Sequence, residues 1–201
     1  MANHLAVHSV TQALNDYLAH RYATYAPTAE LPPLPSAKFD VLSSATFNSQ
    51  ETPDAETGSL VSIYLHRVSI NNHLRNTRAG PPVGPLGLDL HYLLTVWSAQ
   101  ASSEHILLAW AMSELHFHAF LDRSTLNNEA GWAVDEQINL VPAEMPADEM
   151  SRIWETGNRG YRLSYPFIAR IVRIYPGETA GDAPVVAKRF TYTDELENVA
   201  R

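Results

Sequence analysis

The sequence predicts a single α+β domain, spanning residues 1–201, in which a mostly antiparallel, twisted sheet is covered by helices. Alternating apolar residues indicate long strands over residues 59–70, 86–96 and 161–175. Apolar residues three and four apart instead indicate helices over residues 7–22, 103–120 and 146–157. Helices that fall between strands without a regular strand–helix repeat are typical of the α+β class. With 201 residues, of which 45% are hydrophobic, the chain is long enough to build its own core.

The N-terminal segment predicts a helix, a connector and a strand. Residues 7–22 carry one apolar stripe that includes Val7, Leu14 and Leu18, as an amphipathic helix requires. Residues 27–36 are rich in proline, which fixes φ and removes N–H donors, so they are predicted to form an extended connector. The pattern that follows predicts a strand over residues 38–48.

The two strongest strand signals lie next to each other in the sequence. Over residues 59–70 both faces of the strand are apolar, which predicts a central strand buried on both sides. One face holds Val61, Ile63 and Leu65, and the other holds Leu60, Tyr64, Val68 and Ile70. Residues 86–96 form the second strand. The helices are expected to cover one side of the resulting sheet.

The second half of the chain predicts alternating helices and strands. Ser103 is a plausible N-cap for the helix over 103–120, and a short strand is expected over 136–141. Pro166 interrupts the long strand over 161–175, which indicates either a β-bulge or a sheet edge. A last short strand is predicted over 185–192, followed by a polar tail at 193–201.

The charge distribution excludes some classes of partner. Fourteen basic residues face twenty-two acidic ones, for a net charge of −8, so a general nucleic-acid binder is not expected. No apolar run approaches the ~20 residues that span a bilayer, so no membrane insertion is expected. The charge is also uneven, because residues 104–155 are strongly acidic whereas residues 156–175 contain four arginines and no acid. These blocks either pair within the fold or form a bipolar surface for self-association.

Recognisable catalytic chemistry is scarce. The sequence lacks cysteine, the GxSxG elbow, the GxxxxGK[ST] loop and the HExxH motif. Glu114 and His118 are four apart on a predicted helix and could form half of a metal site, which leaves a small metal-assisted hydrolase as an alternative function. His66 and His91 are expected to have structural roles on neighbouring strands. We therefore expect a non-enzymatic protein without cofactors.

A polar loop suggests a second alternative, a generic protein-docking module. The loop that follows the strand over 59–70 contains alternating asparagines and arginines, which are suited to docking contacts. The candidate residues are Asn72, Arg75, Asn76 and Arg78.

Three segments resemble one known family. They comprise residues 61–76, residues 85–112 and residues 150–164, and the most specific run is Leu-Asp-Leu-His-Tyr-Leu-Leu-Thr at 88–95. In this order they resemble the N-terminal domain of the tail-terminator, or cap, protein of extracellular contractile injection systems, the phage-tail-like particles that include the antifeeding prophage. The resemblance covers roughly residues 5–192. Larger members of this family carry a C-terminal extension beyond the part that is similar.

The resemblance implies a structural function. Such a protein is expected to form a homo-oligomeric ring, a hexamer, on the distal end of the inner tube and sheath and to end their polymerisation. It would be present in the bacterial cytoplasm during assembly and then in the particle. A strand-accepting edge is expected near Pro166 or at residues 188–192. The remaining candidate interface residues are Arg162, Arg170, Arg173, Lys188 and Arg189.

Overall fold

A computed structural model describes residues 2–28, 31–49, 58–71, 85–157 and 160–175. It confirms the α+β class, with one six-stranded mixed sheet, four α-helices and a short 3-10 helix (Asn128–Ala130) in these residues. The strands are β1 (Ala37–Leu42), β2 (Ser59–Ile70), β3 (Leu86–Trp97), β4 (Phe120–Leu121), β5 (Ile138–Pro142) and β6 (Ser164–Ile174). The helices are α1 (Ala6–Ala23), α2 (Ser44–Asn48), α3 (Ala101–Phe117) and α4 (Ala147–Thr156).

The sheet is mostly antiparallel, as predicted. Its strand order is β1-β2-β3-β6-β5-β4, and only the β1–β2 pair is parallel. The β2–β3 hairpin and the β3–β6 pair form the centre, with twelve residues in each of β2 and β3. Strand β3 therefore lies between two long neighbours.

One face of the sheet, called here the inner face, carries the larger core. Helices α1 and α3 pack on it through apolar stripes that include Leu14 and Leu18 of α1 and Leu107 of α3. Strand β3 supplies alternating residues from Leu88 to Val96, and Phe167 lies opposite Tyr92 on β6. Most of these side chains are fully buried, so each one contributes roughly 1.5–3 kcal/mol of apolar transfer free energy.

The other face, called here the outer face, is covered only in part. Helices α2 and α4 place Phe47, Met150 and Trp154 over Leu60, Leu93 and Trp97 in a second, smaller core. The expectation that helices cover one side of the sheet is therefore wrong. Near the C-terminal end of β3, large apolar residues lie on both faces of the strand, so both faces of the sheet need helices to cover them.

Two β-bulges change which residues share a face. The β2–β3 register shifts between Leu65 and Arg67, so His66 is an extra residue. As a result Val68 and Ile70 lie on the inner face with Leu65, and not on the opposite face as expected. There they are about half exposed, at 48% and 52%.

Pro166 is not at a sheet edge. Strand β6 is paired on both sides, and Pro166 lies opposite Leu93 of β3. Its carbonyl accepts a hydrogen bond from the Ala143 amide just beyond the end of β5, 3.1 Å away. The N–H that Pro166 lacks would point to the same side as this carbonyl, where β5 has already ended at Pro142, so the proline lies just beyond the β5–β6 ladder. The bulge in β6 is instead at Ile171.

Local chemistry explains the other boundary differences. The strand predicted over 38–48 ends at Leu42, because the Ser43 side chain accepts from the Thr46 amide and caps α2. Helix α3 begins at Ala101 and ends at Phe117, and Ser103 is not its cap. The two-residue strand β4 follows it at Phe120, where the helix had been expected to continue.

Candidate assembly surface

The half of the outer face that α4 leaves uncovered carries a group of basic side chains. They project from three adjacent strands, namely Arg67 on β2, His91 on β3, and Arg170 and Arg173 on β6. Arg67 lies opposite His91, and Arg173 lies opposite Gly87. We call Arg67, Arg170 and Arg173 the basic half-face.

The two bulges assemble this group. Arg170 and Arg173 are three residues apart, so a regular strand would place them on opposite faces. The register shift between Leu88 and Asp89 makes Ile171 an extra residue, so that both arginines share the outer face. The bulge at His66 likewise brings His66 and Arg67 to this face, where the His66 and His91 ring centroids are 6.1 Å apart.

Asp89 holds the β6 bulge in place. Its Oδ1 accepts from the backbone N–H of Ile171 at 3.3 Å, and both of its oxygens accept from Asn71 Nδ2 at 3.0 and 3.1 Å. Ile171 has φ of 66°, a left-handed conformation that is unusual for a β-branched residue. A mostly buried carboxylate thus stabilises strained backbone.

The ion pairs of the basic half-face are loose. Arg67 Nη1 is 3.7 Å from Glu149 Oε1 of α4, and Arg170 Nε is 3.7 Å from Asp89 Oδ2. The Arg67 side chain is 58% exposed and that of Arg170 is 40% exposed. The Arg67–Glu149 pair is exposed on both sides, and such pairs stabilise a fold by about 0–1 kcal/mol, so the Arg67 guanidinium remains available to other partners. Arg170 instead lies beside the mostly buried carboxylate of Asp89.

The two histidines on this face, His66 and His91, are partly buried in the sheet surface. Burial lowers the pKa of His66 to about 4, and the nearby His91 and Arg67 lower it further in the same direction. Burial also lowers the pKa of His91, whose Nε2 lies 2.8 Å from Ser69 Oγ. At neutral pH both rings are therefore uncharged parts of the sheet surface.

Helix α4 presents a different, acidic surface beside the basic half-face. Its first turn holds Asp148 and Glu149, and Glu155 follows near its end. Asp148 is exposed and pairs with Arg152 of the same helix at 3.3 Å. A shallow groove of about 410 Å³ runs between α4 and the sheet, lined in part by Tyr64 and His66.

Of the remaining candidate interface residues, only Arg162 lies within the described residues. Arg162 is packed inward, with its guanidinium carbon 5.1 Å from the Trp97 ring centroid, a cation–π contact within the fold. Residues Asn72, Arg75, Asn76, Arg78, Lys188 and Arg189 lie outside the described residues. The strand over 185–192 and the tail at 193–201 also lie outside them. Sequence reasoning did not select Arg67 or Asp89, because only the bulges reveal that they share a face with the β6 arginines.

The two described sheet edges, β1 and β4, offer few free amides to a joining strand. On β1 the Ala37 N–H donates to Tyr22 Oη at 3.1 Å, and the Val41 N–H donates to Asp40 Oδ1 at 2.8 Å. Strand β4 is only two residues long, and just before it the Ala119 carbonyl accepts from the Leu140 N–H of β5 at 2.7 Å. A joining strand needs free N–H and C=O groups, and these backbone groups already have partners.

The alternative site at Glu114 and His118 is engaged in other contacts. Glu114 Oε2 accepts from Arg21 Nε at 2.8 Å and from the Tyr17 hydroxyl at 3.3 Å. The Tyr17 pKa is raised to about 12 by burial and by the Glu114 charge. His118 ends α3 and stacks on Tyr17, with ring centroids 4.4 Å apart. A metal ion would have to displace the arginine from the carboxylate.

The described residues contain neither a candidate metal-binding cluster nor a helix suited to cross a membrane. No group of three or more histidine, aspartate or glutamate side chains there is arranged to hold a metal ion. Likewise, none of the helices in the described ranges is both long and apolar enough to cross a bilayer.

Comparison with known proteins identifies the family. A sequence model of the Pvc16 N-terminal domain matches residues 9–188. The chain belongs to the Pvc16 N-terminal domain family. This match covers most of the chain and includes every strand and helix described above except the start of α1. No curated protein matches the sequence.

Two solved structures match over most of this chain. One is the tube-terminating cap of the anti-feeding prophage, with 14% identity and a TM-score of 0.53 over 91% of this chain. The other is the PVC sheath/tube terminator of an extracellular contractile injection system in its extended state, with 18% identity and a TM-score of 0.47 over 94% of this chain. The chain spans 60% and 65% of their respective lengths.

Proposed function

We propose that this chain is a structural cap of a contractile, phage-tail-like injection particle. In this role it binds the distal end of the inner tube and sheath as a homo-oligomeric ring, a hexamer, and ends their polymerisation without catalysing a reaction. Membership of the Pvc16 N-terminal domain family carries the proposal. The fold of the anti-feeding prophage cap, shared over 91% of this chain, supports it.

The sheet edges are consistent with ending polymerisation. A layer that is to stop growth must not offer a free strand edge to the next subunit. Two features of the described part of the chain support this requirement: the amides of Ala37 and Val41 on the β1 edge already have partners, and the β4 edge is only two residues long. Strand exchange through residues 188–192, as the sequence suggested, stays a prediction.

A stable ring also requires two different contact surfaces on each subunit. Head-to-tail contacts place one patch against another, and closed rotation gives a ring. A specific contact of this kind buries at least about 1,000 Å². The outer face has a basic half next to an acidic helix, which supplies two chemically distinct patches.

Imaging of particles tests the proposal. Particles assembled without the chain should have variable lengths and incomplete or unstable sheaths, and adding the chain back should restore a uniform length. The purified chain should appear as a ring by electron microscopy. Particles of normal, uniform length with an intact sheath in its absence would contradict the cap function.

A further inference from the structure

The basic half-face is the strongest unassigned feature of the molecule. Three arginines from β2 and β6 share it with one acidic side chain from the strands, Asp89. Asp89 is already occupied by Asn71 and Ile171. The surface therefore presents more positive charge than its own strands neutralise.

The backbone conformation indicates that this arrangement is functional. A regular β6 would direct Arg173 toward the apolar inner face, and the bulge at Ile171 prevents this. The left-handed φ of Ile171 costs about 1–3 kcal/mol for a non-glycine residue, and such strain is concentrated at binding and switching sites. Bulges in general re-aim side chains at functional surfaces.

Acidic side chains complementary to the basic half-face lie on helix α4 of the same chain. The ten residues of α4 contain Asp148, Glu149 and Glu155 against one arginine, Arg152. Glu149 faces Arg67 of its own sheet, whereas Asp148 and Glu155 are exposed. Asp148 has only an exposed pair with Arg152 of the same helix, and such pairs contribute little to stability, so a second copy can compete for it.

We propose that the basic half-face of one copy binds the exposed acidic face of α4 in the next copy, head to tail. This assignment rests on the proposed ring and names the surface that forms it. Arg67 and Arg173 contact the partner's carboxylates directly. Arg170 stays closer to Asp89, which positions it together with the bulge.

Charge reversal in both surfaces is the test. The purified full chain would carry Arg67→Glu with Arg173→Glu, or Asp148→Lys with Glu155→Lys, or all four changes together. Arg123→Glu and Glu129→Lys are matched controls, because both residues are exposed and lie outside the two surfaces. Neutral Arg67→Gln with Arg173→Gln serves if the reversed arginine variant does not fold, as judged by circular dichroism.

Sedimentation equilibrium across protein concentration and ionic strength gives the readout. Each reversed pair should weaken self-association at least about tenfold, and the fourfold variant should recover most of the loss because the charges are again complementary. The neutral arginine variant should weaken it in the same direction. Wild-type association should weaken as salt screens the contact, and the controls should match the wild type.

Three results would overturn the assignment. These are self-association unchanged in the reversed variants, no recovery in the fourfold variant, and a wild-type chain that stays monomeric at low salt. A fourth would be reversed arginines that abolish length control in particles but leave self-association intact, because the occupant would then be a tube or sheath subunit. A monomeric wild-type chain would also contradict the proposed ring, whereas the other results concern only the contact surface. The cap function itself is decided by the particles assembled without the chain.

Discussion

The two faces of the sheet differ in how completely they are buried. The inner face is packed under α1 and α3 along most of its length, with Leu90, Tyr92 and Leu94 fully buried. The outer face has a compact aromatic core under α4 at one end and charged side chains at the other. The inner face therefore supplies most of the stability, and the outer face divides its area between stability and contact.

The greatest loss of stability is predicted for Leu90 of the inner face, and a nearby residue of the outer face provides the comparison. Leu90→Ala should lower the free energy of unfolding by about 2–5 kcal/mol, because it opens a cavity in the inner core. Ile168→Ala, at the half-buried residue opposite His91 on the outer face, should cost clearly less. Urea unfolding of both variants measures the difference. Equal losses would mean that the outer face is as important for stability as the inner one.

A second, smaller effect concerns the carboxylate that holds the β6 bulge. Asp89→Ala should lower the free energy of unfolding by about 2–3 kcal/mol, because the Ile171 amide and Asn71 lose their acceptor. Asp89→Asn should cost less, since it keeps one acceptor oxygen. Thermal and urea unfolding provide the measurement. An unchanged midpoint in the alanine variant would show that the bulge holds its conformation without Asp89.

The stability of the fold should also depend on pH, through His66 on the outer face. The pKa of His66 is about 4 in the fold and near 6.5 when unfolded, so the unfolded chain binds more protons between these values. Stability should therefore fall as the pH drops from 6.5 to 4, by up to about 2 kcal/mol once solvent screening is included. Charging the ring is unfavourable there because it is partly buried beside Arg67.

Urea unfolding at pH 7 and pH 4.5 tests this dependence. His66→Gln should reduce the loss of stability, although the lowered pKa of His91 keeps part of it. His8→Gln, on the exposed side of α1, is the matched control and should behave like the wild type. The same loss in the His66 variant as in the wild type would assign the effect to other groups.

The smallest effect is expected on the acidic face of α4. Asp148→Asn should change the free energy of unfolding by less than about 0.5 kcal/mol, because its pair with Arg152 is exposed on both sides. A larger change would mean that this helix surface stabilises the fold. The measurement thus separates residues that serve folding from residues that serve contact.

The sequence predicted the elements better than it predicted the faces. Period-two and helical patterns located the long strands and helices because burial imposes those periods directly. The bulges at His66 and Ile171 left no such signal, since each adds one residue without changing composition. For this reason the alternation predicts the wrong face for Val68 and Ile70. The prediction for Pro166 fails for a different reason, because its missing N–H indicates a bulge or a sheet edge, whereas β6 is paired on both sides and its bulge is at Ile171.

The candidate surface was predicted only in part. The basic block drew attention to Arg162, Arg170 and Arg173, but tertiary packing separates them. Arg162 lies on Trp97, whereas the other two join Arg67 from a distant part of the sequence. A one-dimensional charge count cannot show which side chains share a face. Strand register decides that, and it becomes visible only in the folded sheet.

The extra residue in β6 has a consequence for changes in the length of this strand. Removing Ile171 would leave Arg170, Val172 and Arg173 in strict alternation, so both arginines would stay on the outer face and Val172 would stay in the core. The left-handed residue would be lost with the deletion. A chain one codon shorter at this point would therefore present the same charges on a less twisted strand, which separates the identity of the side chains from the local twist that the bulge adds.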